Sequence, residues 1–229
     1  PCLDNPNLDN LWPLTENLGR LLKPEWNFLQ TKIAECRLCE KQFPDIKVNW
    51  PPGRIPPSCV QPPSPTTVLF VGVAPPERDR HFYTDDNDRL RSGLFKVLTN
   101  LGWPCHSIQD FLDQGFFLLH TAKCAIKDTT KPSPRVSQFC AVRYLIREIE
   151  HLSPSAVCWL SKNICYNACR TLCREWGVAV EVPFGEVTFA TIKGRSVLLL
   201  PTKWPGRGWE NETQTHLAKL FNELGRHES

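Results

Sequence analysis

The chain has 229 residues, enough for one large α/β domain or two small ones, and its 41% hydrophobic and 22% charged residues exclude wholesale disorder, a coiled coil and a collagen-like chain. A net charge of +3 is too small to identify a partner, and no apolar run is long enough to cross a bilayer. Eleven cysteines exceed what packing needs but fall short of a small disulfide scaffold. The first residues lack the basic start and apolar stretch of a secretory signal, and the cysteine count is odd; together these predict a reducing, cytoplasmic setting in which clustered cysteines bind metal.

Apolar residues at helical spacing between 9 and 36, interrupted at Lys23-Pro24, predict two short helices. The proline-rich stretch that follows predicts an extended linker. Thr67 to Gly72 reads as a buried strand and Leu90 to Leu101 as a helix. Phe116 to His120 is the next strand, followed by a basic loop and a helix over about Val136 to Leu152. A strand at Ala156 to Leu160, a helix from about Ser161 to Trp176, a strand at Ser196 to Leu200 and a helix over about Glu212 to Leu224 complete the chain. This alternation predicts an α/β fold, helices covering both faces of a central, mostly parallel sheet of about four strands. The division expected is one domain, 1–229, with N-terminal helices over 1–40, a linker over 41–66 and the α/β core over 67–229. Ligands in such sheets bind beyond the carboxyl ends of the strands, which brings together the loops Val73 to Arg91, Thr121 to Pro134 and Pro201 to Glu210.

Cys36 and Cys39 form a C-x2-C pair, and Cys124 and Cys140 follow with fifteen residues between them. Four thiolates suit zinc or an iron–sulfur cluster; the wide spacing of the second pair speaks mildly for the cluster. Cys158 lies on a predicted strand and Cys165, Cys169 and Cys173 recur at helical spacing, so these four read as packing residues. Lys123, Lys127, Lys131 and Arg135, with Asp128 the one acid among them, form a basic stretch, and Lys193, Arg195, Lys203 and Arg207 form a second. A surface built from both attracts phosphates.

The order of C-x2-C, a strand ending Val71-Gly72-Val73-Ala74-Pro75, Cys124 and Cys140, then Leu198-Leu199-Leu200-Pro201 before a Pro/Gly/Arg loop resembles the iron–sulfur branch of the uracil-DNA glycosylase superfamily, closest to families 4 and 5. The resemblance runs from about Ile33 to Leu224 and implies a structural [4Fe-4S] cluster on Cys36, Cys39, Cys124 and Cys140 that staples the N-terminal helices to a loop near the DNA. It also implies base flipping and hydrolysis of an N-glycosidic bond, leaving an abasic site. The first motif reads Gly72-Val73-Ala74-Pro75-Pro76, so the carboxylate of family 4 is absent at Val73 and family 5 is nearer. Phe82-Tyr83-Thr84-Asp85-Asp86 stands where family 5 has its stacking ring and acid, which makes Asp85 the first choice for the carboxylate, Asp86 the second, and Phe82 the stacking face; a solvated turn is the competing reading of this acidic run. After Cys124, the segment Lys127-Asp128-Thr129-Thr130-Lys131-Pro132 lacks the family's asparagine and places Asp128 near the pocket. Trp204-Pro205-Gly206-Arg207 replaces the family's histidine motif, with Trp204 either at the base or in the core, and with Lys203, Arg207, Lys127 and Lys131 expected on phosphates. Val73, Ala74, Pro75 and His120 complete the expected base pocket. These departures point away from plain uracil to a modified or hypermodified pyrimidine, excised by a monomer in repair or in defence against phage DNA. An inactive DNA-binding module and an ordinary uracil-DNA glycosylase are the alternatives.

Overall fold

A computed structural model describes residues 16–46, 48–49, 60–76, 81–126, 133–206 and 208–227. Its centre is a five-stranded sheet of β2 (Val68–Gly72), β3 (Phe116–His120), β5 (Ala156–Leu160), β6 (Thr188–Ile192) and β7 (Arg195–Thr202), in the order β3-β2-β5-β7-β6. The first four strands of that order run parallel, and β6 is antiparallel to β7. The expected sheet of about four strands therefore gains a fifth. It is made by a two-residue hairpin: Lys193 and Gly194 both take positive φ (52° and 77°), the left-handed pair that matches the twist of tightly turned strands. Outside the sheet, β1 (Val48–Asn49) pairs antiparallel with β4 (Ala125–Ile126), so part of the proline-rich linker is pinned beside the loop that carries Cys124.

The three parallel strands at β3, β2 and β5 are buried at every residue, as a sheet covered on both faces requires. Successive residues show the two faces. Phe116 packs against Phe111 of α4 (Ile108–Asp113) and Phe221 of α8 (Glu210–His227), whereas Phe117 packs against Trp26 of α1 (Glu16–Ala34). α3 (Arg89–Asn100) lies with α8, and α5 (Pro134–Cys140), α6 (Ile146–Leu152) and α7 (Ile164–Glu175) pack together. One short helix, α2 (Leu38–Gln42), separates Cys36 from the linker.

Two expectations for the helices are corrected. A single α1 runs through Pro24, although proline lacks the N–H that the interior of a helix uses. Burial of Trp26, Gln30 and Ile33 on the face that follows compensates for that lost bond. The predicted helix over Val136 to Leu152 is divided by a π-helical turn, Ala141–Leu145, which begins immediately after Cys140. Cys158, Cys165, Cys169 and Cys173 are all buried in the main core, where burial raises the thiols of Cys158 and Cys165, the packing role read from their spacing.

Candidate functional site

β2 lies between β3 on one side and β5 on the other, so the chain reverses its direction of winding there and leaves a crevice at the carboxyl ends of these strands. A cavity of about 800 Å³ occupies it. Each parallel strand end contributes: Gly72 at the end of β2 with Val73 and Ala74 beyond it, His120 of β3, Leu160 at the end of β5 with Ser161 and Lys162 beyond it, and Lys203 and Trp204 after β7. Two backbone bonds extend the β2–β3 pairing past the sheet, Thr121 N–H to Gly72 O at 2.8 Å and Ala122 N–H to Val73 O at 2.9 Å, and the Thr121 hydroxyl donates to Val73 O at 2.6 Å. Val73 is thereby fixed as wall.

The segment before α3 forms the opposite side. Phe82 is buried, with its ring edge-on to Tyr83, Phe95 and Phe111, and it also lines the cavity. Tyr83 fastens this segment to edge strand β3. Its hydroxyl donates to Leu118 O at 3.0 Å and accepts the Leu118 N–H at 2.7 Å, satisfying both backbone groups that an edge exposes.

The acidic run that follows is sorted by the start of α3. Asp88 is the N-cap, accepting the Arg91 N–H at 2.9 Å, and it lines the cavity. Burial is the largest influence on its carboxyl and raises its pKa, opposed by the Arg91 and Leu90 amides. Asp85 and Asp86 are not part of the cavity wall. Asp85 accepts the Asn87 N–H at 3.0 Å in a local turn, and Asp86 is exposed and paired with Arg91 at 2.7 Å. The carboxylate in the cavity is therefore Asp88, three residues after the first choice. An aspartate directly before a helical run is an N-cap signal, and that signal finds it.

His120 is buried, with its imidazole against Gly72: a Cβ on that glycine would lie 3.0 Å from His120 Cδ2. Burial first, then Lys123 and His81, lowers its pKa to about 3, so the ring is neutral at physiological pH. Trp204 is half-buried on the wall, and Pro75 is buried but replaced there by Pro76. Lys203 lines the cavity with its charge engaged: Nζ lies 2.6 Å from Glu212 Oε2 and 3.4 Å from the centre of the Trp209 ring. Arg89, Lys162 and Trp209, unforeseen in the sequence, are exposed at the rim. Lys127, Asp128, Lys131 and Arg207 lie outside the described residues.

The four spaced cysteines converge. The Cys124 thiol donates to Cys39, which lowers Cys39 and raises Cys124, and Cys140, Cys39 and Cys36 raise Cys124 further through their charges. Burial pushes Cys140 up to about 12, and its sulfur accepts the Lys123 N–H at 3.3 Å. Among the described residues, no group of three or more His, Cys, Asp or Glu side chains is spaced to hold a metal ion. As a donor set, four thiols, three of them buried, from α2 and its approach, the loop after β3 and the end of α5 are the soft ligands that an iron–sulfur or zinc centre would hold as thiolates.

No curated protein matches this chain. The crystal structure of mimivirus uracil-DNA glycosylase resembles it at 14% sequence identity over 91% of this chain and 84% of that one, with a TM-score of 0.45. The family model of the uracil DNA glycosylase superfamily matches residues 60–225, which include every strand of the large sheet and the whole cavity wall. With well over half its length matched, the chain belongs to the uracil DNA glycosylase superfamily, whose members are DNA glycosylases that hydrolyse N-glycosidic bonds.

Proposed function

We propose that this protein flips a modified pyrimidine out of DNA and hydrolyses its N-glycosidic bond, leaving an abasic site. The observation that carries this reading is the cavity at the strand ends, which combines one partly buried carboxylate, Asp88, with a neutral imidazole and aromatic walls. Cleaving the bond develops positive charge on the sugar. A partly buried carboxylate fixed by helix amides stabilises that charge and orients the attacking water. Phe82 and Trp204 supply apolar faces for a base that has left the stack. The rim cations Arg89 and Lys162 are placed to grip flanking phosphates, a role that suits them better than Lys203, whose charge Glu212 already neutralises.

A base other than uracil is favoured by Trp204 on the cavity wall where the family carries histidine. Such a substrate fits base-excision repair or defence against phage with modified DNA. The [4Fe-4S] cluster we assign to Cys36, Cys39, Cys124 and Cys140 would hold the N-terminal helices against the core and take no part in bond cleavage. The deciding experiment incubates the purified protein with duplexes carrying uracil and a panel of 5-substituted pyrimidines, then measures released base by mass spectrometry and abasic sites by alkaline cleavage. Release of a substituted base is expected. Release of uracil alone makes this an ordinary uracil-DNA glycosylase, and salt-dependent binding without release from any substrate makes it a DNA-binding module.

A further inference from the structure

A line of buried polar side chains runs from the N-terminal helix to the cavity wall. Gln30 on α1 donates from Nε2 to Glu148 Oε1 at 3.1 Å. Glu148, on α6 and fully buried, forms an ion pair with Lys123, whose side chain is 3% exposed. Lys123 Nζ in turn donates to the backbone carbonyl of His120 at 2.7 Å. Buried ion pairs often add little stability relative to apolar side chains of the same size, so this one suggests a role in geometry. That geometry is visible at His120. Its carbonyl is tied to Lys123 on one side, and its imidazole rests on Gly72 on the other, where any Cβ would displace the ring.

We propose that Lys123, locked by Glu148 and Gln30, is a positioning residue that fixes His120 to read the edge of the extruded base, which makes the N-terminal helix part of base recognition. This rests on the glycosylase reading above. A neutral imidazole turns one ring nitrogen to a group it faces, as an N–H donor or as an acceptor according to its tautomer, so it matches a base edge with the converse group there and is left unsatisfied against other edges. The charged and titratable groups around the ring are Lys123 from the loop after β3, His81 from the segment before α3, and Asp88 on the same cavity wall.

The test uses the full chain with three variants. Lys123→Met combined with Glu148→Leu removes both charges together, Gly72→Ala displaces the ring without touching the network, and Gln30→Leu releases only α1, which keeps the test alive if the charge-pair variant does not fold. Histidine NMR of the unaltered protein between about pH 8 and about pH 5 should show His120 neutral throughout. In the charge-pair variant and in Gln30→Leu the same resonance should move to a new chemical shift, the ring staying neutral because its burial, the largest influence on it, is unchanged. With uracil and 5-substituted pyrimidine duplexes in competition, the charge-pair variant and Gly72→Ala should lose about tenfold or more of the preference for the best base. Folded variants with unchanged His120 resonances and unchanged preference would overturn the proposal. If the unaltered protein releases no base, the glycosylase reading fails while the NMR comparison still decides the network.

Discussion

Asp88 has two duties that one substitution separates. As N-cap it orders the first turn of α3, and as a cavity carboxylate it supplies negative charge. Asparagine caps a helix about as well as aspartate, so Asp88→Asn should leave the melting temperature nearly unchanged while base release falls by about 10²–10³-fold. Asp85→Asn, which alters only a turn outside the cavity, should cost little activity; the opposite ranking of the two in single-turnover assays would return the role to Asp85. Because burial raises the Asp88 carboxyl, its protonation on acidification should begin above the ordinary aspartate value of about 3.9, and the acid limb of the rate profile should lie correspondingly high. His120 also acts on stability. Its folded pKa of about 3 is below the unfolded value near 6.5, so protons bind the unfolded chain preferentially and its stabilisation, complete above about pH 6.5, is lost as pH falls toward 3. Urea melts across that window should show a shallower acid loss in His120→Asn than in the unaltered chain; parallel curves would place the acid sensitivity elsewhere.

At the scale of elements, α3 is held against the β7 loop by an absent side chain. A Cβ on Gly93 would sit 1.7 Å from the backbone oxygen of Pro205, a clash with main chain that no rotamer relieves. Alanine favours a helix over glycine by about 1 kcal/mol, but the forced separation of helix and loop outweighs that gain. Gly93→Ala should therefore destabilise the chain by about 1–3 kcal/mol in denaturant melts and weaken base release by moving Trp204; a stabilised variant would show that the loop yields freely. Lys193 shows the reverse case. Its φ of 52° strains a non-glycine residue, and its ion pair with Glu150 at 3.7 Å is exposed and weak, so Lys193→Asn should stabilise the hairpin by about 0.5–1 kcal/mol in the same melts. This hairpin also shows where the sequence is hard to read. Continuous apolar runs bounded by turn residues announce the four parallel strands, whereas Thr188–Ile192 alternates buried with exposed residues over only five positions and leaves Phe189 in solvent. The strand ends of the cavity are legible because topology fixes them. Choosing among Asp85, Asp86 and Asp88 is harder, since it turns on which carboxylate meets the Arg91 amide. The engagement of Lys203 by Glu212 depends on α8 folding back beside the loop, a tertiary fact that local sequence does not contain.

The whole molecule depends on how its N-terminal part is attached. Trp26 stacks on His151 and meets Phe117, Ile33 packs with Cys140 and Tyr144, and Gln30 reaches Glu148, so α1 has an apolar seat and a buried polar anchor on the core. Beyond Ala34 the apolar seat narrows to Cys39 and Phe43 against Ala122 and Val136, a small cluster for a segment that must also bring Cys36 and Cys39 to Cys124 and Cys140. Four thiols gathered there without a metal repel one another once ionised, so a cluster that binds them as thiolates converts an electrostatic cost into a cross-link between segments nearly ninety residues apart in sequence. The purified protein should accordingly be brown and hold about four iron atoms per chain. Removal of iron by a chelator, or Cys36→Ser, should lower the melting temperature by roughly 10 °C or more and expose the chain before β2 to proteases, while Cys169→Ala, in the core and away from this group, should destabilise without loss of colour. A colourless protein with one zinc per chain would replace the cluster with a zinc site but keep the staple, and an unchanged melting temperature in Cys36→Ser would remove the staple itself.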